Sequence, residues 1–137
     1  MTRYVLDPPT LLEFVARGAP LNLAHQIVAP GTIRSEALAL LFEAVHRGEL
    51  TEEVALERHE RVTEQKMRLL NDRVSRRTAW KIAREQGWAS THDAEYLAIT
   101  RLQADALVTI DPRLAAMAEG LVSVAPLSSL TGPSTAI

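Results

Sequence analysis

The chain has no cysteine among its 137 residues, which excludes a disulfide framework, thiol catalysis and thiolate metal sites. Its four histidines, His25, His46, His59 and His92, are scattered without the spacing of a HExxH-type site, so any bound metal would have to be held by oxygen. No apolar run approaches the roughly 18 residues that a membrane span needs. The opening MTRYVLD lacks the charged-then-apolar layout of a secretory leader, so no membrane association and a cytoplasmic location are expected. No GxGxxG, Walker A or GxSxG pattern occurs, which leaves dinucleotide, P-loop and serine-hydrolase chemistry without support. Net charge is only −2, which argues against a strongly basic nucleic-acid binder. The composition that remains, 47% hydrophobic and 23% charged, is that of an ordinary globular protein, and the length suits one core.

Strand and helix signals alternate along the chain. Arg3 to Leu6 reads as a strand, and Asp7-Pro8-Pro9 as the cap and first turn of a helix that ends near Gly18. Gln26 to Ala29 is a second buried strand, followed by a helix over Thr32 to Arg47 and another from Thr51 to about Gln65. Met67 to Leu70 is read as a third strand. Ser75 is expected to cap a helix that ends at Gly87, and a further helix starts around Ser90 to Asp93. Ala106 to Ile110 is the clearest strand, closed by Asp111-Pro112 as the first is closed by Asp7-Pro8; a short helix to Glu119 and a strand Leu121 to Ala125 follow. Strands that read as continuous apolar runs between helices imply a three-layer α/β/α fold on a parallel sheet of about five strands. The expected organisation is one domain over residues 1–127 and a loose tail over 128–137.

In such a sheet, ligands bind beyond the carboxyl ends of the strands. There the sequence is acidic. Asp7 follows the first strand, Asp111 the fourth, Glu36 lies early in the helix after the second, and Asp93 begins the helix before the fourth. Four carboxylates at one edge repel unless they are protonated or bridged by a cation, and Mg²⁺ or Mn²⁺ is the natural oxygen-bound bridge. The competing reading is that Asp7, Asp93 and Asp111 are helix caps and Glu36 part of a solvated face. His92 is read as a surface residue or a base, and Glu95 as solvent-exposed or placed behind the acids.

Net charge conceals a polarised distribution. Arg58 to Arg84 holds nine basic and three acidic residues, a local +6 that leaves −8 for the rest. Arg73, Arg76, Arg77, Lys81 and Arg84 recur at helical spacing and form a candidate RNA-binding strip, unless they are simply a solvated face. Trp80, among Ala79, Ile82 and Ala83, is assigned to the core in preference to base stacking.

Tyr4-Val5-Leu6-Asp7, the Arg34-Ser35-Glu36 helix start, Thr91-His92-Asp93-Ala94-Glu95-Tyr96-Leu97-Ala98 and Leu107-Val108-Thr109-Ile110-Asp111 together resemble the PIN domain, the nuclease fold of VapC-type toxins. The resemblance runs from about Arg3 to Pro126. It implies Mg²⁺ or Mn²⁺ held by Asp7, Glu36, Asp93 and Asp111, with Thr109 as a hydroxyl near the metal, and cleavage of single-stranded RNA. It also implies partners: a small antitoxin protein and a second copy of the chain. Pro8 and Pro9 depart from the small or hydroxyl residue usual after the first Asp, and the nearest hydroxyl is on Thr10. The alternative is a non-catalytic PIN-like module that binds RNA or a protein. A haloacid-dehalogenase-like phosphatase would need a second Asp where Pro9 stands.

Overall fold

A computed structural model describes residues 1–133. The elements are β1 (Thr2–Leu6), α1 (Pro8–Arg17), β2 (His25–Pro30), α2 (Ile33–His46), α3 (Glu52–Glu64), β3 (Arg68–Leu70), α4 (Arg73–Gln86), α5 (His92–Gln103), β4 (Ala106–Val108), α6 (Pro112–Ala118) and β5 (Val124–Ala125). The five strands form one parallel sheet in the order β3-β2-β1-β4-β5. β1 is therefore central, flanked by β2 and β4 in a register that sets Tyr4 against Ile27 and Ala106. The chain winds outward from β1 to β3 and returns to the other side at β4. Right-handed crossovers then place α1 to α3 on one face of the sheet and α4 and α5 on the other. The packing agrees: α1, α2 and α3 contact one another, while α5 lies across β1, β2 and β4 with α4 stacked on it.

The middle of the sheet is fully dry. Val5, Leu6, Ile27, Val28, Leu107 and Val108 are inaccessible to solvent, as are Leu11 and Leu97 from the two helical layers. Each fully buried aliphatic side chain contributes about 1.5–3 kcal/mol, so this double-sided burial makes the strands read as unbroken apolar runs. Gly18 and Gly87 close α1 and α4 at φ of 72°, a left-handed conformation that favours glycine. Among the described residues no helix is long and apolar enough to cross a membrane.

Four details differ from the sequence reading. β4 stops at Val108, because its partner β1 ends at the matching Leu6 and turns into α1, which leaves Thr109 and Ile110 no strand to pair with. β5 is likewise reduced to Val124–Ala125. The cap of α4 is Asp72, whose carboxylate accepts the Ser75 backbone N–H at 3.0 Å and the Ser75 hydroxyl at 2.7 Å, so Ser75 lies inside the first turn. Trp80 is 66% exposed: it is one position, or 100°, off the stripe of Ser75, Ala79, Ile82 and Ala83 that α4 buries.

The expected loose tail is docked where it is described. Leu127–Leu130 forms a 3₁₀ turn with Leu130 fully buried, and the His25 Nε2 group donates to the Gly132 carbonyl at 2.8 Å. Residues 134–137 of that tail lie outside the described residues.

Candidate functional site

Two Asp-Pro junctions build the centre of the site. A proline disfavours helical backbone in the residue before it, so Asp7 (φ −86°, ψ 164°) and Asp111 (φ −85°, ψ 109°) stay extended at the ends of neighbouring strands while Pro8 and Pro112 start the next helices. Because β1 and β4 are adjacent across the point where the winding reverses, both carboxylates arrive at the same crevice.

Asp7 is only 4% exposed. Its carboxylate accepts the Thr10 hydroxyl, one turn into α1, and the nearby Thr109 hydroxyl also favours its ionised form. Burial nevertheless pushes its pKa above the usual carboxylate range, and the nearby negative charge of Asp111 pushes the same way; the two hydroxyls offset only part of this. Thr10 is itself fully buried and accepts the Ile110 backbone N–H at 2.9 Å, which ties the start of α1 to the end of the β4 segment. Thr109 also accepts the Asp111 backbone N–H at 3.1 Å.

Asp93 and Asp111 meet through a cation that the sequence reading missed. The Arg113 guanidinium donates to Asp93 at 2.9 and 3.4 Å and lies 3.4 Å from Asp111. The paired carboxylate of Asp93, foremost, raises the Arg113 pKa. Glu36 joins from α2. Tyr96 of α5, 4% exposed, donates its hydroxyl to Glu36, and His92 lies 3.8 Å from the other Glu36 oxygen. Burial, then the Glu36 hydrogen bond, then the charges of Glu36, Asp7 and Glu95 push the Tyr96 hydroxyl pKa up, so it remains a donor. Glu95 is half-buried, on a small cavity with Pro30, Thr32, Asp72 and Arg76.

The capping alternative holds for one acid of the three. Asp111 accepts the Arg113 backbone N–H at 2.9 Å, whereas Asp7 makes no side-chain cap bond and Asp93 lies inside α5, behind Thr91. Among the described residues no three His, Asp or Glu side chains stand together as a metal cage. The donor chemistry still suits a hard divalent ion, since every group is a carboxylate and buried Asp7 is met by hydroxyls rather than a cation. The side chain of Arg113 is 61% exposed, so it can leave Asp93 and Asp111 by rotation alone.

Arg73, Arg76, Arg77, Lys81 and Arg84 are all exposed on α4. Lys81 lies 4.0 Å from Glu85, Arg76 donates to the Asn71 carbonyl, and Arg73, Arg77 and Arg84 make no ion pair among the described residues. Arg61 and Arg34, by contrast, are structural. They donate to the Val15 carbonyl of α1 and to the Val62 and Gln65 carbonyls that end α3.

A five-stranded parallel sheet between two helical layers, with this chain order, is the PIN-like α/β/α fold. Among solved structures, PAE2754 from Pyrobaculum aerophilum superposes with a TM-score of 0.69 at 20% identity, over 95% of this chain and 94% of that one. VapBC-1 from nontypeable Haemophilus influenzae is similar with a TM-score of 0.59 at 16% identity, over 93% of this chain and 99% of its own. No family model and no curated protein sequence matches the chain. At these identities the likeness is one of fold.

Proposed function

We propose that this protein is a metal-dependent endoribonuclease that cleaves single-stranded RNA and acts as the toxin of a toxin-antitoxin pair. One observation carries the reading: a buried, destabilised Asp7 carboxylate beside Asp111 at the reversal of the sheet, with Asp93 and Glu36 drawn to the same edge by Arg113 and Tyr96. Asp7, Glu36, Asp93 and Asp111 would hold Mg²⁺ or Mn²⁺, with Asp93 and Asp111 exchanging Arg113 for it. Such an ion, when bound, activates water and neutralises charge developing on the phosphodiester. The protein's own residues set its surroundings. Thr10 and Thr109 orient Asp7, Tyr96 orients Glu36, and the arginines of α4 hold the phosphate backbone. The likeness to VapBC-1 supports a small antitoxin as partner.

The test is cleavage of a single-stranded RNA with Mn²⁺ and with EDTA. Wild type should cut only with the metal, and Asp7→Asn and Asp111→Asn should each lose orders of magnitude in turnover while keeping RNA affinity in EDTA. Cleavage at the wild-type rate by either variant would falsify the assignment. A second reading, a PIN-like module that binds RNA or protein without cutting, is favoured by the ion pairs that Arg113 makes with Asp93 and Asp111. It predicts no cleavage and no Mn²⁺-induced stabilisation.

A further inference from the structure

Helix α4 presents its largest apolar side chain away from the core. Trp80 has Arg76 and Arg77 one turn before it and Arg84 one turn after it, so an indole stands within the basic strip. With Arg84, Trp88, Ser90 and Thr91 it lines an open cleft of about 470 Å³. Trp88 is partly buried against the core and gives the cleft a fixed wall. Neither indole is paired with another ring; the aromatic pair among the described residues is Tyr4 with His25. The cleft adjoins the acids. Thr91 precedes His92, which faces Glu36, and lies two residues from Asp93, a span of at most about 7 Å.

We propose that this cleft is a stacking subsite for an unpaired nucleobase of the strand whose phosphates follow α4 toward the acids. The identity of that strand as a substrate rests on the nuclease reading. The chemistry of the cleft favours a base over an apolar helix of a partner protein. The exposed Trp80 indole and the Arg84 guanidinium offer stacking and cation–π contact to any base, and the surrounding cations favour a polyanion. An apolar segment would instead have to pack among Arg76, Arg77, Lys81 and Arg84.

Both tryptophans of the chain line the cleft, so fluorescence excited selectively at tryptophan, away from the absorption of Tyr4 and Tyr96, reports on it. The probes are a short oligouridylate and an abasic strand of equal length, titrated in EDTA. The base-bearing strand should quench wild type and bind more tightly than the abasic one. Trp80→Ala should weaken oligouridylate binding about 5- to 150-fold, leave abasic binding unchanged, and keep the wild-type unfolding midpoint, since Trp80 is exposed; Trp80→Phe should retain most of the affinity. Equal affinities of wild type and Trp80→Ala for both strands would overturn the proposal. So would an equal loss for both, or a change of oligomeric mass with no change in RNA binding. The two readings fail separately. Base-dependent quenching without Mn²⁺-dependent cleavage sinks the nuclease and keeps the subsite, and cleavage without base dependence does the reverse.

Discussion

Replacing Thr10 with valine swaps one hydroxyl for a methyl of nearly the same shape at a site with no solvent exposure, so it probes hydrogen bonding without opening a cavity. Two bonds go. The hydroxyl donates to Asp7, a contact to a charged group worth about 1.5–3 kcal/mol, and accepts the half-buried Ile110 N–H, whose orphaning costs about 1 kcal/mol. Burying the new methyl returns about 0.8 kcal/mol. The net loss at neutral pH is about 2–3 kcal/mol. The sign of its pH dependence follows from Asp7. The Thr10 bond lowers the Asp7 pKa, so its removal raises the folded value further above the unfolded 3.8, and the added penalty falls on the ionised form. Once Asp7 is protonated in both states, only the Ile110 share remains, and the methyl offsets most of it. Urea unfolding at about pH 7 and about pH 3.5 measures the difference, with Thr10→Ser, which keeps the hydroxyl, as control. A valine variant within about 0.5 kcal/mol of wild type at neutral pH, or one with the same loss at both pH values, refutes Thr10 as the support of Asp7.

Asp7→Asn should raise the metal-free Tm by a few degrees at neutral pH and leave it unchanged in acid: the folded pKa is raised, so wild type loses stability as pH climbs from the unfolded 3.8 through the folded value, and an amide does not. Thermal unfolding of both proteins across that range is the check. If these acids hold a divalent ion, Arg113→Ala should strengthen Mn²⁺ binding by about tenfold, because the ion would no longer compete with the guanidinium for Asp93 and Asp111; equal Mn²⁺-induced Tm shifts in the two proteins would count against this. Arg76→Ala with Arg77→Ala should lower RNA affinity for all sequences and reduce the slope of log affinity against log salt by about 1–2, read in EDTA across a salt series.

What could be read in the sequence was what periodicity and proline chemistry determine locally. The Asp7-Pro8 and Asp111-Pro112 junctions state their own geometry, and buried strands of a parallel sheet show as apolar runs. What could not be read depends on partners distant in the chain. β4 ends where β1 ends, about a hundred residues earlier, so the apolar Ile110 gave no warning that it is 45% exposed. Arg113 was visible as a cation two residues past Asp111, but its hold on Asp93 depends on how α5 meets α6. Thr10 stood out in the sequence only as the nearest hydroxyl after the Pro8-Pro9 departure; that it reaches back to Asp7 across the first turn of α1 is shown by the structure. Trp80 followed its apolar neighbours in composition and departed from them in angle.

The central position of β1 has a consequence for how the protein comes into being on the ribosome. β1 is made before the other four strands of its sheet, yet one of its edges stays unpaired until β4 emerges, some hundred residues later. During that interval a nascent chain carries β1, β2 and β3 with an open apolar edge, a form suited to chaperone capture or mispairing. The same delay separates Asp7 from Asp111, so no truncated product that stops before β4 can present both acids. Chemistry that needs both acids would therefore arise only once the chain has been made through Asp111, and slow translation of the α4 to β4 segment would lengthen the period in which the chain lacks the complete pair and is prone to aggregate.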